Sequence, residues 1–171
     1  MHSWGLVHRD IKPANLLLKE ELWKARPILK LADFGLAAPC AQDGSLKGWG
    51  TVPYMSPEQL LNSCNEYCDM WACGCVFAEM LLGEIVVPQA CWGDNAKTLK
   101  HLRSGGAEAK LDLAFLRVMC EEGGAELLKE LFMFEWSTRL GAGDALASPF
   151  FKGRRVRAGN AVVSDLHFLN S

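Results

Sequence analysis

Residues 69–83, "DMWACGCVFAEMLLG", predict a helix that is apolar almost all round, and such a helix has to sit in the middle of a core. Asp69 stands at its start, where a carboxylate caps free amides and faces the positive end of the helix dipole. Gly83 closes it. The stretch is too short to cross a bilayer, so the chain must wrap other elements around it.

Candidates for those elements are few. "AELLKELFMF" at 125–134 is a second helix with Leu127, Leu128, Leu131 and Phe134 on one stripe, and "GDALASPFF" at 143–151 reads as a short last helix stopped by Pro149. "NLLL" at 15–18 and "ILKLADF" at 28–34 read as short strands joined by the polar turn "KEELWKARP". From Ala32 to Glu58 the chain is rich in Gly, Pro, Ser and Thr without a sustained period, which makes a long loop of the functional kind. The expected fold is therefore mainly α with a few short β strands.

Composition narrows the setting. With 171 residues, 50% hydrophobic and 22% charged, the chain is core-forming and amounts to one domain or part of a larger one. A net charge of -2 argues against nucleic acid as a partner, and the opening "MHSWGLVHRD" shows no signal peptide. The seven cysteines are an odd number; Cys64, Cys68, Cys73 and Cys75 cluster without a CxxC pair, and the nearest histidine is His101. They read as buried reduced thiols of an intracellular protein, cytoplasmic or nuclear, with no membrane partner. The segment "KGRRVR" that starts at Lys152 reads either as a solvated basic end or as a nuclear-localisation signal.

The chemistry gathers in "VHRDIKPANLLL", residues 7–18, where His8, Arg9, Asp10, Lys12 and Asn15 crowd ahead of an apolar run. A second acid, Asp33, sits in "DFG" after the second strand. A carboxylate and an amide oxygen from neighbouring loops are hard ligands suited to Mg²⁺ carrying a nucleotide phosphate. Asp10 would remain free to orient a hydroxyl and accept its proton, and Lys12 could stabilise charge on a transferring phosphoryl group.

In order, "HRDIKPAN", "DFG" and "SPE" at 56–58 resemble the eukaryotic protein kinases, whose catalytic loop, metal-binding motif and activation-segment end follow in that sequence. "GTVPYMSPE" is similar to the family's substrate-facing segment, with Ser56 where alanine is usual. "DMWACGCVFAEML" is similar to its central helix and "WSTRLGAGDALASPFF" to its closing segment, with Trp136 for a proline and Ser148 for a histidine. The likeness covers about residues 1–151 and leaves 152–171 as a basic C-terminal tail.

The resemblance implies a kinase-like large (C-terminal) lobe with ATP and Mg²⁺ as cofactors and a protein as substrate. It implies Asp10 as catalytic base, Lys12 at the γ-phosphate, and Asn15 and Asp33 on Mg²⁺. Lys12 resembles the Ser/Thr rather than the tyrosine kinases. Leu17 would lie under the adenine ring, and His8 with Phe34 would form the lower half of the regulatory spine. Thr51 would bridge its segment to Asp10 and Lys12, Glu58 would pair with Arg139, and Asp69 would hold the catalytic-loop backbone. Arg9 would meet a phosphate on the activation loop, for which Ser45 is the candidate acceptor; Ser45 reads equally as a turn residue beside Gly44. Ala14 and Met55 argue against a basophilic and a proline-directed preference, respectively.

The same resemblance expects a Gly-rich loop, a strand lysine and a helix glutamate over ATP, and the chain contains no GxGxxG. The N-terminal lobe is thus expected to be absent, with a further segment or a partner to supply it, and the isolated chain to transfer little phosphate. The alternative is a catalytically dead kinase-like binding or scaffold module.

Overall fold

The computed structural model describes residues 1–20, 27–40, 46–106 and 123–152. Ser45, most of the turn between the two predicted strands, and the tail beyond Lys152 lie outside these residues. Helices dominate, with two small antiparallel sheets among the described residues.

β1 (Leu6–Val7) pairs with β4 (Ala38–Pro39), Leu6 opposite Pro39 and Val7 opposite Ala38. The second sheet is the hairpin of β2 (Leu16–Lys19) and β3 (Ile28–Leu31), in register from Leu16 opposite Leu31 to Lys19 opposite Ile28. The predicted strand at 28–34 stops at Leu31, because Asp33 turns left-handed with φ 59 and leaves the extended region.

The helices run α1 (Pro57–Leu60), α2 (Glu66–Leu82), α3 (Asn95–Arg103), α4 (Gly124–Leu131) and α5 (Ala142–Leu146). α2 is the apolar helix expected at 69–83, but it begins three residues earlier. Its cap is Asn65, whose side chain accepts from Tyr67 N at 3.0 Å. Asp69 lies inside the first turn, and its carboxylate serves another loop. Gly83, at φ 71, closes the helix with its amide on Glu79 O.

Burial of α2 on every side follows from its composition. Trp71, Cys75 and Ala78 pack with Met55, Val86, Val87, Leu128 and Phe132; the Trp71 and Phe132 rings meet edge to face at 5.1 Å. Met70 packs with Leu127, Leu131 and Ala145, while Ala72 and Val76 face Ile11 and the root of the β2–β3 hairpin. Cys68 completes the ring with Val7 and Cys64. Gly74 lets α4 come close, since a Cβ there would lie 3.1 Å from Leu131 Cβ.

Two other expectations are corrected. α4 ends at Leu131, and Phe134, placed on its stripe by periodicity, lies past the helix end and is part-exposed. The last helix, expected over 143–151, ends at Leu146. Pro149 does not stop it but opens a separate 3-10 turn, Pro149–Phe151, where a residue without an amide proton is suited to the first position. Among the described residues no helix is long and apolar enough to cross a membrane.

Leu128 is fully buried, whereas Met80 is 78% exposed at the far end of α2. Leu128→Ala is therefore expected to lower unfolding free energy by about 2–5 kcal/mol, and Met80→Ala to change it by less than about 0.5 kcal/mol. Urea titration of both variants checks this.

Candidate functional site

The site is built outward from Asp69, a buried carboxylate on α2. Its Oδ2 accepts from His8 N at 2.8 Å and its Oδ1 from Arg9 N at 2.8 Å. His2 Nε2 adds a third donor at 2.8 Å. Arg9 is held at φ 69, a left-handed backbone that a non-glycine residue keeps only where its surroundings over-determine it.

His8 links this loop to the segment after β3. Its Nδ1 accepts from Asp10 N at 3.3 Å and its Nε2 donates to Ala32 O at 3.0 Å, which fixes the neutral Nε2–H tautomer. The ring lies edge-on to Phe34 at 5.1 Å. Ala32 N in turn donates to Asn15 O at 2.9 Å, so Asp33 is carried next to the turn that bears Asn15.

Asp10 is nearly buried and its two oxygens are shared out. Lys12 Nζ donates to Oδ2 at 2.7 Å and Thr51 Oγ1 donates to Oδ1 at 2.6 Å, while Lys12 Nζ also reaches Thr51 Oγ1 at 2.8 Å. Asn15 Nδ2 donates to Asp10 O at 2.8 Å and to its Oδ2 at 3.3 Å. With Nδ2 committed, the atom that Asn15 can offer a ligand is its amide oxygen. Asp33 is exposed; its Oδ1 accepts from Gly35 N at 3.2 Å.

Chemically, this is an ionised carboxylate beside an ammonium, next to an amide oxygen and a second carboxylate. A carboxylate has about four lone-pair positions, so Asp10 can accept a further hydroxyl while keeping Lys12 and Thr51. Hard oxygen donors of this kind fit Mg²⁺ better than zinc, and no group of three or more His, Cys, Asp or Glu suited to a metal occurs among the described residues.

Segment 46–60 is fastened to this loop. Ser56 and Gln59 form a capping box, with Gln59 N on Ser56 Oγ and Ser56 N on Gln59 Oε1, both at 3.2 Å. Glu58 and Arg139 form a buried two-pronged pair, Nη1 to Oε1 at 2.5 Å and Nη2 to Oε2 at 3.0 Å. Arg139 also donates to Tyr67 O, Met133 O and Phe134 O, and it lies 5.0 Å over the Trp71 ring. Arg9 donates to Leu36 O at 2.6 Å and Lys47 O at 3.2 Å, with its guanidinium 5.5 Å over the Trp49 ring. Leu17 is 53% exposed on the hairpin.

Three participants were not singled out from the sequence. His2 supports Asp69, and Gln59 bonds Arg9 O and Trp49 O. Tyr54 donates to Glu79 Oε2 at 2.8 Å, and burial together with that carboxylate pushes its phenol well up. The capping-box spacing of Ser56 and Gln59 was the one available signal for Gln59. Nothing local marks His2 or Glu79.

Comparison with known proteins agrees with this geometry. The family described as "Protein kinase domain" matches residues 1–151. The chain is 28% identical over 191 residues to a mitogen-activated protein kinase hog1 of Blastobotrys adeninivorans, covering 96% of this chain and 46% of that protein. It is 42% identical over 98 residues to the serine/threonine-protein kinase PKZ1 of Phytophthora infestans, covering 48% and 24%, respectively. It is 31% identical over 153 residues to calcium-dependent protein kinase 4 of Plasmodium falciparum, covering 89% and 28%. The chain thus spans less than half the length of these relatives.

Two outcomes follow from the packing. Glu58→Gln leaves Arg139 buried without its counter-charge and should lower unfolding free energy by about 3–5 kcal/mol, read by urea titration. Burial pushes the Cys73 thiol up to about 12, and burial together with the Glu66 carboxylate pushes Cys40 up to about 11. An unfolded thiol ionises near 9.0, so above that pH the unfolded chain releases protons that the folded chain retains. Stability should be full below pH 9 and fall between 9 and about 12, with a shallower slope in Cys73→Ala.

Proposed function

The chain belongs to the protein kinase family, and we propose that it carries the catalytic half of a Ser/Thr protein kinase, passing the γ-phosphoryl group of ATP to a hydroxyl of a protein substrate. The observation that carries this reading is the closed triangle of Asp10, Lys12 and Thr51, with Asn15 bonded to the same carboxylate. On this reading residues 1–151 form a kinase-type large lobe, and 152–171 a separate basic tail in an intracellular protein.

Asp10 is the base: it orients the attacking alcohol through a free lone pair and takes its proton as the new P–O bond forms. Lys12 places positive charge beside the oxygens of the moving phosphoryl group, where it costs no reorganisation during transfer. Thr51 holds both residues to the segment that would bear the substrate. Asn15, through its amide oxygen, and Asp33, through its carboxylate, would hold Mg²⁺. The ion, when bound, neutralises the phosphates that these two residues position.

Leu17 would support the adenine ring from below. Leu17 is 53% and Phe34 43% exposed, which supports a nucleotide site completed by another segment or a partner. His8 couples Phe34 to Asp10, with its ring edge-on to Phe34 and its Nδ1 accepting from Asp10 N. Arg9 would meet a phosphate on the segment, with Ser45 as the proposed acceptor.

Titration of the chain with ATP, followed by amide NMR, is expected to shift Asn15 and Asp33 only when Mg²⁺ is present, and Asp33→Asn to abolish the shift. In phosphate transfer to Ser/Thr peptides by the chain joined to the segment that completes its nucleotide site, Asp10→Asn should lower kcat by roughly 10²- to 10⁴-fold while leaving nucleotide affinity unchanged. Shifts that ignore Mg²⁺ and survive Asp33→Asn would overturn the assignment.

A further inference from the structure

The Arg9–Asp10 peptide is the least comfortable piece of backbone in the site. Arg9 sits at φ 69, and the planar peptide that follows it sets where Asp10 begins. Asp69 fixes the amide on the near side of Arg9, at 2.8 Å. It has no reach to the far side. There, Arg9 O accepts a hydrogen bond from Gln59 Nε2 at 3.0 Å.

The same nitrogen donates to Trp49 O at 2.8 Å, in the peptide that leads through Gly50 to Thr51. Gln59 Oε1 is used too, accepting Ser56 N at 3.2 Å. Gln59 is only 2% exposed, so its amide group cannot trade these bonds for bulk water. Close approach is built in: a Cβ on Gly50 would lie 2.6 Å from Arg9 O, and one on Gly48 would overlap the Gln59 carbonyl. The segment lies flat against Gln59 and Arg9 because these two positions have no side chain.

We propose that Gln59 is a positioning residue for the reaction: one amide nitrogen ties the peptide entering Asp10 to the peptide preceding Thr51, and so holds the Asp10–Thr51 contact closed. It acts through neighbouring backbone and touches no reacting atom. The clamp is uncharged and internal to the chain, so it keeps the two loops together without a phosphate on the segment. The role of Gln59 as a positioning residue rests on the reading of Asp10 as the base, but its physical effect can be measured apart from that reading.

The test has to separate this donor from the capping box. Gln59→Glu preserves the box, because glutamate at the third helical position caps as glutamine does, but an ionised carboxylate has no proton to give. Gln59→Met removes the donor without adding charge. Amide hydrogen exchange on the intact 171-residue chain reads the result, after correction for the intrinsic pH dependence of exchange.

At pH 7 both variants are expected to speed exchange in residues 8–12 and 49–55 by roughly tenfold to a hundredfold, with α2 unchanged. Lowering the pH through the carboxyl range, about 4–5, should restore protection in Gln59→Glu as an O–H donor appears, and should not do so in Gln59→Met. Wild-type protection in Gln59→Met overturns the proposal, as does loosening shared equally by α2. A Gln59→Glu chain that folds but shows no pH step overturns it as well; if that variant does not fold, Gln59→Met is read against Ser56→Ala, which weakens the box and keeps the donor, and equal loosening of residues 8–12 in the two overturns it. The readout requires no phosphate transfer, so a failed Mg²⁺–ATP titration would refute the kinase reading of the site and leave the clamp standing.

Discussion

A single carboxylate, Asp69, is the fixed point from which the site is measured. It is buried on a helix packed on every side, and it accepts from two successive backbone amides and an imidazole. A charge in that position is tolerable only because each oxygen is hydrogen-bonded, and the helix that carries it can hardly shift without disturbing four groups of packed side chains. The loop bearing Asp10 therefore inherits the rigidity of the core. Its left-handed turn at Arg9 is tolerated for the same reason.

A second fixed point holds the opposite wall. The Glu58–Arg139 pair joins the start of α1 to the loop before α5, and Arg139 adds three backbone carbonyls and the face of Trp71. Between these anchors lie only short pieces of chain, and each is fastened by named bonds: Thr51 to Asp10, Gln59 to Arg9, Arg9 to Leu36 and Lys47. Preorganisation here comes from side chains that bond backbone across loops rather than from regular secondary structure.

What the sequence made legible was what is periodic or ordered in motifs. The apolar helix, the hairpin strands and the pairings of Asp10 with Lys12 and Thr51 and of Glu58 with Arg139 could be anticipated from pattern and resemblance. Element ends were misplaced where a polar residue had a distant partner. Local pattern read Asp69 as a cap because its amide-bonding targets, His8 and Arg9, are some sixty residues away; only the resemblance set it against the backbone of that loop. Phe134 kept helical spacing after the helix had ended at Leu131. His2 and Glu79 carried no local sign of their partners, and the spacing of Gln59 pointed only to Ser56, because a side chain that bonds a remote carbonyl or hydroxyl leaves no periodic trace. α3, polar on most of its surface, gave the apolar-pattern reading little to find.

The ion pair between Glu58 and Arg139 spans 81 positions of chain. Linkages of that length form late, since a long loop must close before any bonding rewards it. During synthesis, the wall of the site opposite Asp69 cannot lock until Arg139 has left the ribosome. A nascent chain exposed only as far as about residue 100 already contains Asp10, Asn15, Asp33 and Thr51, yet lacks the brace that closes the wall around them. That closure waits for one late segment and is gained in a single step rather than by increments.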